Sequence, residues 1–210
     1  MNYSDYIHII GTVAFAVSGY LVGFRKQLDV LGVVIVALLS AVGGGMIRDV
    51  IIGRLPLVFT NHQALVVIFL SLFAAWALRL QRRRRKELHA AFILADAIGL
   101  AAFSLTGAQV GVSLDLNIFG VVTLAFVTSV GGGIVRDMLV NEVPVILRRD
   151  LYGSIAVLNG LAVYVLAQWH WLNAFTLNIL FLSALLLRLM AFRWQWELPG
   201  FQQQDNDQAA

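Results

Sequence analysis

Seven long apolar runs constrain the fold of this chain more than any other feature of its sequence. They cover residues 6–23, 30–52, 62–80, 91–110, 118–140, 150–168 and 173–192, and the short breaks between them carry most of the charges and turn formers. A helix needs about 20 apolar residues to cross the hydrocarbon of a bilayer. A transmembrane β-strand would instead alternate apolar and polar residues over about 10 positions, whereas Val30–Leu39 is continuously apolar. The sequence therefore predicts an all-α membrane protein with seven transmembrane helices.

The composition excludes a soluble domain and several kinds of chemistry. Of the 210 residues, 60% are hydrophobic and 13% are charged, against roughly half and a quarter in soluble domains. There is no cysteine, so disulfides and thiolate chemistry are excluded, and the four histidines show no metal-ligand spacing. The sequence also lacks the common catalytic motifs of soluble enzymes. No catalytic residue, metal site or cofactor is predicted, and an enzyme is the least supported class of function.

The lysines and arginines predict how the chain is oriented. With the first loop in the cytoplasm, twelve of the fifteen basic residues lie inside, Arg54 lies outside, and Arg48 and Arg136 fall within spans. This bias places the N-terminus outside and the C-terminus in the cytoplasm. Basic residues at the ends of apolar runs set orientation, so no nucleic-acid partner is expected. The basic run Arg82–Arg85 has a second interpretation, contact with anionic membrane lipids.

An internal repeat organises the chain. A shift of 88 residues without a gap places Val42–Asp49 on Val130–Asp137, and both segments read Val-Gly-Gly-Gly-x-x-Arg-Asp. Seven residues further on, Pro56 falls on Pro144. Each copy holds three spans, an odd number, so the second copy is inverted in the membrane. We expect one three-helix repeat in residues 1–90, an inverted repeat in 91–170, a seventh helix in 171–196 and a polar, disordered tail in 197–210.

The two glycine triplets are candidate elements of a transport pathway. Gly43, Gly44 and Gly45 lie in the second span, and Gly131, Gly132 and Gly133 lie in the fifth. One interpretation is a kink or partial unwinding that exposes backbone carbonyls to a passing ion. The alternative is close helix packing through small residues.

The charged pairs after the triplets, Arg48–Asp49 and Arg136–Asp137, are the second part of the candidate pathway. A charge inside a span is costly and usually faces the bundle interior or water. Adjacent residues point about 100° apart on a helix and need not pair with each other. Straight helices would hold the two motifs roughly 20 Å apart, so each pair is expected to serve its own half of the membrane. The alternative is that the arginines extend to nearby headgroups while the aspartates cap helix ends.

Weaker pathway candidates come from other polar positions within the spans. Ser18 corresponds to Thr106 and Ser40 to Thr128 in the repeat, and hydroxyl bonds to the backbone are the simpler explanation for all four. Asp96 corresponds to His8, and its predicted place near a membrane entrance favours a solvated helix terminus. Asn159 and Asn178 are expected to hold helices together.

With its doubled Gly-Gly-Gly-x-[Ile/Val]-Arg-Asp motif and the trailing prolines, the chain resembles the prokaryotic branch of the trimeric intracellular cation (TRIC) channel family, also described as glycine transporters. The resemblance covers about residues 6–195. It implies a homotrimer of seven-helix protomers in a bacterial or archaeal plasma membrane, each with a potassium-permeable pore lined by the second and fifth helices. The Lys-Glu-Val motif of the animal members is absent, so the resemblance does not extend to their lipid binding and calcium-dependent gating.

Three functions remain open at this point. The first is a channel for potassium or other monovalent cations, in which the aspartates or carbonyls must offset the repulsion by Arg48 and Arg136. The second is a secondary transporter of glycine or a similar zwitterion, in which an arginine would hold the carboxylate. The third is a membrane scaffold without transport, which leaves the duplicated charges within the membrane without a role.

Overall fold

The fold is entirely helical in the part of the chain that the structure describes. A computed structural model describes residues 3–82, 84–148 and 151–196; the predicted polar tail, 197–210, lies outside these residues. The helices, in chain order, are α1 Tyr3–Arg25, α2 Val30–Ile51, α3 Leu57–Thr60, α4 Gln63–Ala77, α5 Arg85–Ser113, α6 Ile118–Leu139, α7 Val145–Arg148, α8 Leu151–Gln168 and α9 Ala174–Arg193. A short 3₁₀ helix, Leu80–Arg82, lies between α4 and α5. The all-α prediction is confirmed for these ranges.

Among the described residues, six helices are long and apolar enough to cross a membrane: α1, α2, α5, α6, α8 and α9. The third predicted span, 62–80, holds the 15-residue α4, which is roughly 22 Å long against a hydrocarbon core of about 30 Å. The chain turns at Arg79, where φ is 52°, a left-handed conformation that is uncommon for a residue other than glycine. The structure thus provides six clear candidate spans and one shorter apolar helix, where the sequence predicts seven spans.

The second and sixth helices begin with the same local structure. The Asp29 carboxylate accepts a hydrogen bond from the backbone N–H of Gly32 at 2.7 Å, and the Asn117 side chain accepts from Gly120 at 3.0 Å. Side-chain oxygens at this position satisfy backbone donors that a helix start otherwise leaves free. Because these caps are 88 residues apart, α2 and α6 begin at corresponding positions and both run for 22 residues.

Four helices, α1, α2, α5 and α6, form the centre of the bundle. Helix α1 packs on α2 and α5, and α6 packs on α2 and α5, while α4, α8 and α9 cover the outside. At the α1–α5 contact, Phe15 and Phe103 are almost completely buried, with ring centroids 5.3 Å apart. The two phenylalanines are also 88 residues apart in the chain, so the repeated positions meet in the core.

The glycine triplets allow α2 and α6 to approach very closely. A Cβ atom added to Gly44 would stand 2.1 Å from the carbonyl oxygen of Thr128, and one added to Gly132 would stand 2.1 Å from that of Ser40. Both helices continue without a break through the triplets. Of the two interpretations of the triplets, partial unwinding is not seen in α2 or α6, and close packing describes the local structure at Gly44 and Gly132.

Candidate functional site

Each motif arginine forms an ion pair with the aspartate that follows it. Arg48 Nε donates to Asp49 Oδ1 at 2.8 Å, and Arg136 Nε donates to Asp137 Oδ1 at 2.8 Å. The sequence leaves open whether these neighbours pair, and in the structure both arginines bond to the adjacent carboxylates. One pair lies in α2 and the other in α6, and the expectation that each pair serves its own half of the membrane stays a prediction.

The second carboxylate oxygen of each aspartate holds the segment that follows. Asp49 Oδ2 accepts from the backbone N–H of Leu57 at 3.1 Å, and Asp137 Oδ2 accepts from that of Val145 at 2.9 Å. Leu57 and Val145 are the first residues of the short helices α3 and α7, directly after the two repeated prolines. Each aspartate therefore neutralises its arginine and fixes the turn beyond its helix.

The motif charges are buried inside the protein. Arg48 is 3% exposed and Arg136 is not exposed at all, so neither arginine extends to the headgroups. A buried arginine is tolerated when carboxylates and hydrogen bonds offset the loss of hydration. The pairing with Asp49 and Asp137 provides this compensation, and it also weakens the repulsion that each arginine would exert on a cation.

Arg136 has additional partners on two other helices. Its Nη1 donates to Asp96 Oδ1 on α5 at 2.8 Å and to the hydroxyl of Ser18 on α1. Asp96 is 2% exposed, so the solvated helix terminus favoured by the sequence is wrong for this residue. Ser18, assigned to a local backbone bond, is also part of this cluster.

Phe92 and Tyr152 have no role in the sequence analysis, and Arg188 enters it only as one of the twelve basic residues placed inside. The guanidinium carbon of Arg136 lies 4.8 Å from the centroid of the Phe92 ring, and that of Arg188 lies 4.5 Å from the Tyr152 ring. Arg188 is 5% exposed within α9. The repeat could have identified Phe92 and Tyr152. Their counterparts 88 residues earlier are the small residues Ser4 and Ala64, so the two copies differ in side-chain size at these positions.

The remaining polar candidates divide between local and interhelical roles. Thr106 and Thr128 donate to carbonyls of their own helices, at 3.2 and 2.6 Å, and Ser40 does the same. Asn159 on α8 donates to Ser104 on α5 at 2.8 Å, which confirms its predicted role in holding helices together. Within the protomer Asn178 joins no helices by its amide, which donates to the carbonyl of Ala174 in the same helix.

Two cavities open near opposite ends of α1, a helix of 23 residues and thus roughly 35 Å long. The N-terminal cavity has a volume of about 520 Å³, and its lining includes Ser4, Asp5, His8, Arg48, Thr106 and Gln109. The basic cavity has a volume of about 920 Å³, and its lining includes Leu28, Arg25, Arg85, Lys86, His89 and Phe92. The first cavity reaches a motif arginine, whereas Arg136 is not among the residues that line the second.

Ion pairs join the loop after α1 to the loop after α6 at the end of the bundle that holds the basic cavity, which we call the basic end. Arg25 and Lys26, at the end of α1, contact the carboxylate of Glu142 at 3.0 and 2.9 Å. Glu142 follows α6, so the loop after α1 and the loop after α6 lie at the same end of the bundle.

Comparisons with known proteins place this bundle in a family. The sequence profile of the family described as "Glycine transporter" matches residues 5–79 and again residues 93–168. The chain belongs to this family. A relative is YvgT of Bacillus subtilis, a UPF0126 membrane protein that is 34% identical over 197 residues, which cover 93% of this chain and 95% of YvgT. The UPF0126 inner membrane protein YadS of Escherichia coli K12 is 31% identical over 205 residues, covering 96% of this chain and 97% of YadS.

Solved structures of TRIC channels share the fold. A chain reported under "Structural basis for conductance through TRIC cation channels" is 35% identical, with a TM-score of 0.82 over 95% of this chain and 97% of its own length. The TRIC orthologue from Rhodobacter sphaeroides is 29% identical, with a TM-score of 0.84 over 93% of this chain and all of its own length. The resemblance to the prokaryotic TRIC family that the doubled motif indicates is confirmed.

Proposed function

We propose that this family member is a cation channel that conducts potassium and other monovalent cations through a pathway inside each protomer. The observation that carries the proposal is the pair of cavities near opposite ends of α1, between which α2 and α6 cross at Gly44 and Gly132. The similarity to TRIC cation channels over 95% of the chain supports the same function. The pathway residues we propose are the glycine triplets and the two Arg-Asp pairs. Within the triplets, Gly44 and Gly132 hold α2 against α6, while Gly45 and Gly133 have more space around them.

The neutralisation of the arginines supports passage of cations. Arg48 is paired with Asp49, and Arg136 is paired with both Asp137 and Asp96. A cation near either motif therefore meets a compensated charge and not an isolated positive one. This arrangement answers the main objection to a cation pathway, which is repulsion by a buried arginine.

We also infer the arrangement of the protein in the membrane. The proposed protomer is a homotrimer subunit in a prokaryotic plasma membrane, in contact with its lipids, with the N-terminus outside and the basic end in the cytoplasm. The family profile supports the duplication, because its two matches begin 88 residues apart. With three spans in each copy, the second copy is inverted in the membrane. In this proposal α4 serves as the third, shortened span. Single cysteines at Gln27 and Asn61, labelled from one side of oriented vesicles, test the orientation.

The experiment that tests the function is electrical recording from purified protein in a planar bilayer under a potassium gradient, with glycine added afterwards. Discrete current steps that reverse near the potassium potential and ignore glycine are the expected result. A silent bilayer, with recordings of a known channel as the positive control, counts against the proposal.

A second candidate function is a secondary transporter of glycine or a similar zwitterion. The N-terminal cavity favours it, because Asp5 and Arg48 place a carboxylate and a guanidinium around one space of about 520 Å³. The family description as a glycine transporter points the same way. Saturable uptake of glycine into liposomes, competed by close analogues and without current steps, would support this candidate over the channel.

A further inference from the structure

The two cavities differ in how deeply they enter the bundle, although the repeat relates the residues around them. The N-terminal cavity is lined by Ser4 and continues to Arg48. The basic cavity is lined by Phe92, the counterpart of Ser4, and its lining stops short of Arg136. The residue at this repeated position lines each cavity, but only the N-terminal cavity also reaches its motif arginine.

Phe92 is held by groups on several sides. Its ring lies 4.8 Å from the guanidinium carbon of Arg136 and 5.9 Å from that of Arg25. It also packs against the buried cluster formed by Val22, Val36 and Val140. Cations over an aromatic face are attracted by the ring, more strongly where water is excluded. The ring of Phe92 thus closes the space between the basic cavity and Arg136.

Ser4 leaves the corresponding space open. Its side chain is small, and its hydroxyl donates to the Gln109 side chain at the edge of the N-terminal cavity. No side chain of comparable size stands at this position between the cavity and Arg48 within the described residues, and Arg48 itself lines the cavity.

Two further differences between the repeats act in the same direction. Asp96 ties Arg136 to α5, whereas its counterpart His8 lines the N-terminal cavity. Tyr152 is 2% exposed and packs beside the motif, whereas its counterpart Ala64 is small and lines the cavity. The pocket around Arg136, Asp137 and Tyr152 leaves no room for a water molecule. Phe92, Asp96 and Tyr152 therefore close the half of the bundle around Arg136. Their counterparts Ser4, His8 and Ala64 leave the half around Arg48 open.

The closed half around Arg136 also contains a buried polar atom without a hydrogen-bond partner. Within the described residues, Arg136 Nη2 is buried and has no hydrogen-bond partner. Buried donors without a partner are rare and unfavourable, and hydration would supply the missing partner. An opened, water-filled arrangement would therefore satisfy a group that the closed arrangement leaves unsatisfied.

From these observations we propose that Phe92 is a plug that closes the pathway at the basic end, while the N-terminal end stays open down to Arg48. The inference rests on the proposed function for the existence of a pathway, and it adds that closure is one-sided. Opening requires the Phe92 ring to leave the Arg136 guanidinium, so that water from the basic cavity reaches the second motif.

The absence of cysteine makes accessibility of the two motifs directly measurable. We would place single cysteines at Gly45 and Gly133, which are corresponding positions where an added Cβ atom meets its neighbours at ordinary contact distances. The nearest atom to an added Cβ is Arg48 Nη2 at 3.8 Å for Gly45 and the Tyr152 hydroxyl at 3.4 Å for Gly133. The full-length protein in oriented proteoliposomes is then treated from each side with a small, membrane-impermeant cationic thiosulfonate. Labelling after denaturation confirms that each cysteine is present and reduced.

The expected result is an asymmetric pattern that Phe92 controls. Gly45→Cys reacts from the N-terminal side at least about tenfold faster than Gly133→Cys reacts from the basic side, because labelling follows the open fraction. Adding Phe92→Ser to Gly133→Cys raises its rate from the basic side by a similar factor. The matched control Phe119→Ser, which removes a ring that is 78% exposed, leaves the rate unchanged. A Gly133→Cys rate that is fast with Phe92 intact, or slow after its removal, overturns the proposal.

The converse variant keeps the test decisive if Phe92→Ser fails to fold. Ser4→Phe places a ring at the corresponding position, and we expect it to slow the labelling of Gly45→Cys at least about tenfold. An unchanged rate in well-folded Ser4→Phe counts against the plug. Labelling needs no current, so silent bilayers with this labelling pattern would refute only the cation channel. Potassium currents together with equal access to both motifs would refute only the plug.

Discussion

Arg136 on α6 and Asp96 on α5 form an ion pair in which Nη1 and Oδ1 are 2.8 Å apart, and neither side chain is more than 3% exposed. The pair joins two of the four central helices. It has no equivalent in the first repeat, because the counterpart of Asp96 is His8. The duplicated motif is thus fixed to its surroundings in one half of the bundle more firmly than in the other.

The first prediction concerns the stability that this ion pair provides. Asp96→Asn leaves Arg136 with one carboxylate in place of two, and loss of one partner from a buried pair typically costs about 3 kcal/mol. We expect a clearly lower midpoint in thermal unfolding of the detergent-solubilised protein. His8→Asn is the matched control and should change the midpoint little. In the double variant Asp96→Asn with Arg136→Met, the loss should be smaller than the sum of the single losses; additive losses would show that the two side chains are not coupled.

The second prediction concerns the crossing of α2 and α6. Gly44→Ala and Gly132→Ala each place a methyl group 2.1 Å from a backbone carbonyl oxygen, and overpacking of this kind costs about 1–3 kcal/mol or more. Both variants should give less folded protein in size-exclusion chromatography. Gly45→Ala is the control within the same triplet, since its nearest neighbour lies at 3.8 Å. Equal behaviour of Gly44→Ala and Gly45→Ala would contradict a role for the triplet in close packing.

Much of the fold is predictable from local sequence signals. Apolar runs locate the long helices to within a few residues, and the shared caps at Asp29 and Asn117 begin α2 and α6 at matching positions. One exception is α4, which is shorter than the apolar run 62–80 because the chain turns at Arg79. The other is the start of α5 at Arg85, before the predicted 91. Hydropathy measures how apolar a segment is and does not reveal such a turn.

The candidate site is less predictable, because its partners come from different helices. Asp96 was placed near a membrane entrance on the assumption that its span begins at 91, but α5 begins at Arg85. Asp96 is therefore 11 residues, or roughly 17 Å, from the start of its helix, deep enough to face Arg136. A prediction of hydrophobic boundaries cannot specify this depth, and it cannot show which side chain of another helix stands opposite.

The third prediction compares Asn159 and Asn178, which the sequence analysis expects to hold helices together. Asn159→Ala removes a hydrogen bond between α8 and Ser104 of α5 and should lower the free energy of unfolding by about 1 kcal/mol. Asn178 bonds to its own helix and is exposed, so Asn178→Ala should have little effect. Denaturant unfolding followed by circular dichroism compares the two variants. A larger loss for Asn178→Ala would mean that it contacts another copy of the chain.

The last prediction distinguishes the two motif arginines by function. Arg48 lines the open N-terminal cavity, so Arg48→Gln removes a positive charge from the path of entering cations. A more negative entrance concentrates cations, and salt screens this effect within about 10 Å at 0.1 M. We expect larger unitary potassium currents in Arg48→Gln at low salt, with a difference that shrinks as the salt concentration rises.

Arg136→Gln should behave differently, because Arg136 is buried and lies outside both cavities. Its loss releases Asp96 and the contact with Phe92, so we expect a change in the fraction of time that the channel is open and a smaller change in current amplitude. Single-channel recordings of both variants at two salt concentrations make the comparison. Unchanged amplitude and open probability in both would mean that the arginines serve the fold alone, since charges beside a cation pathway cannot be removed without altering its field.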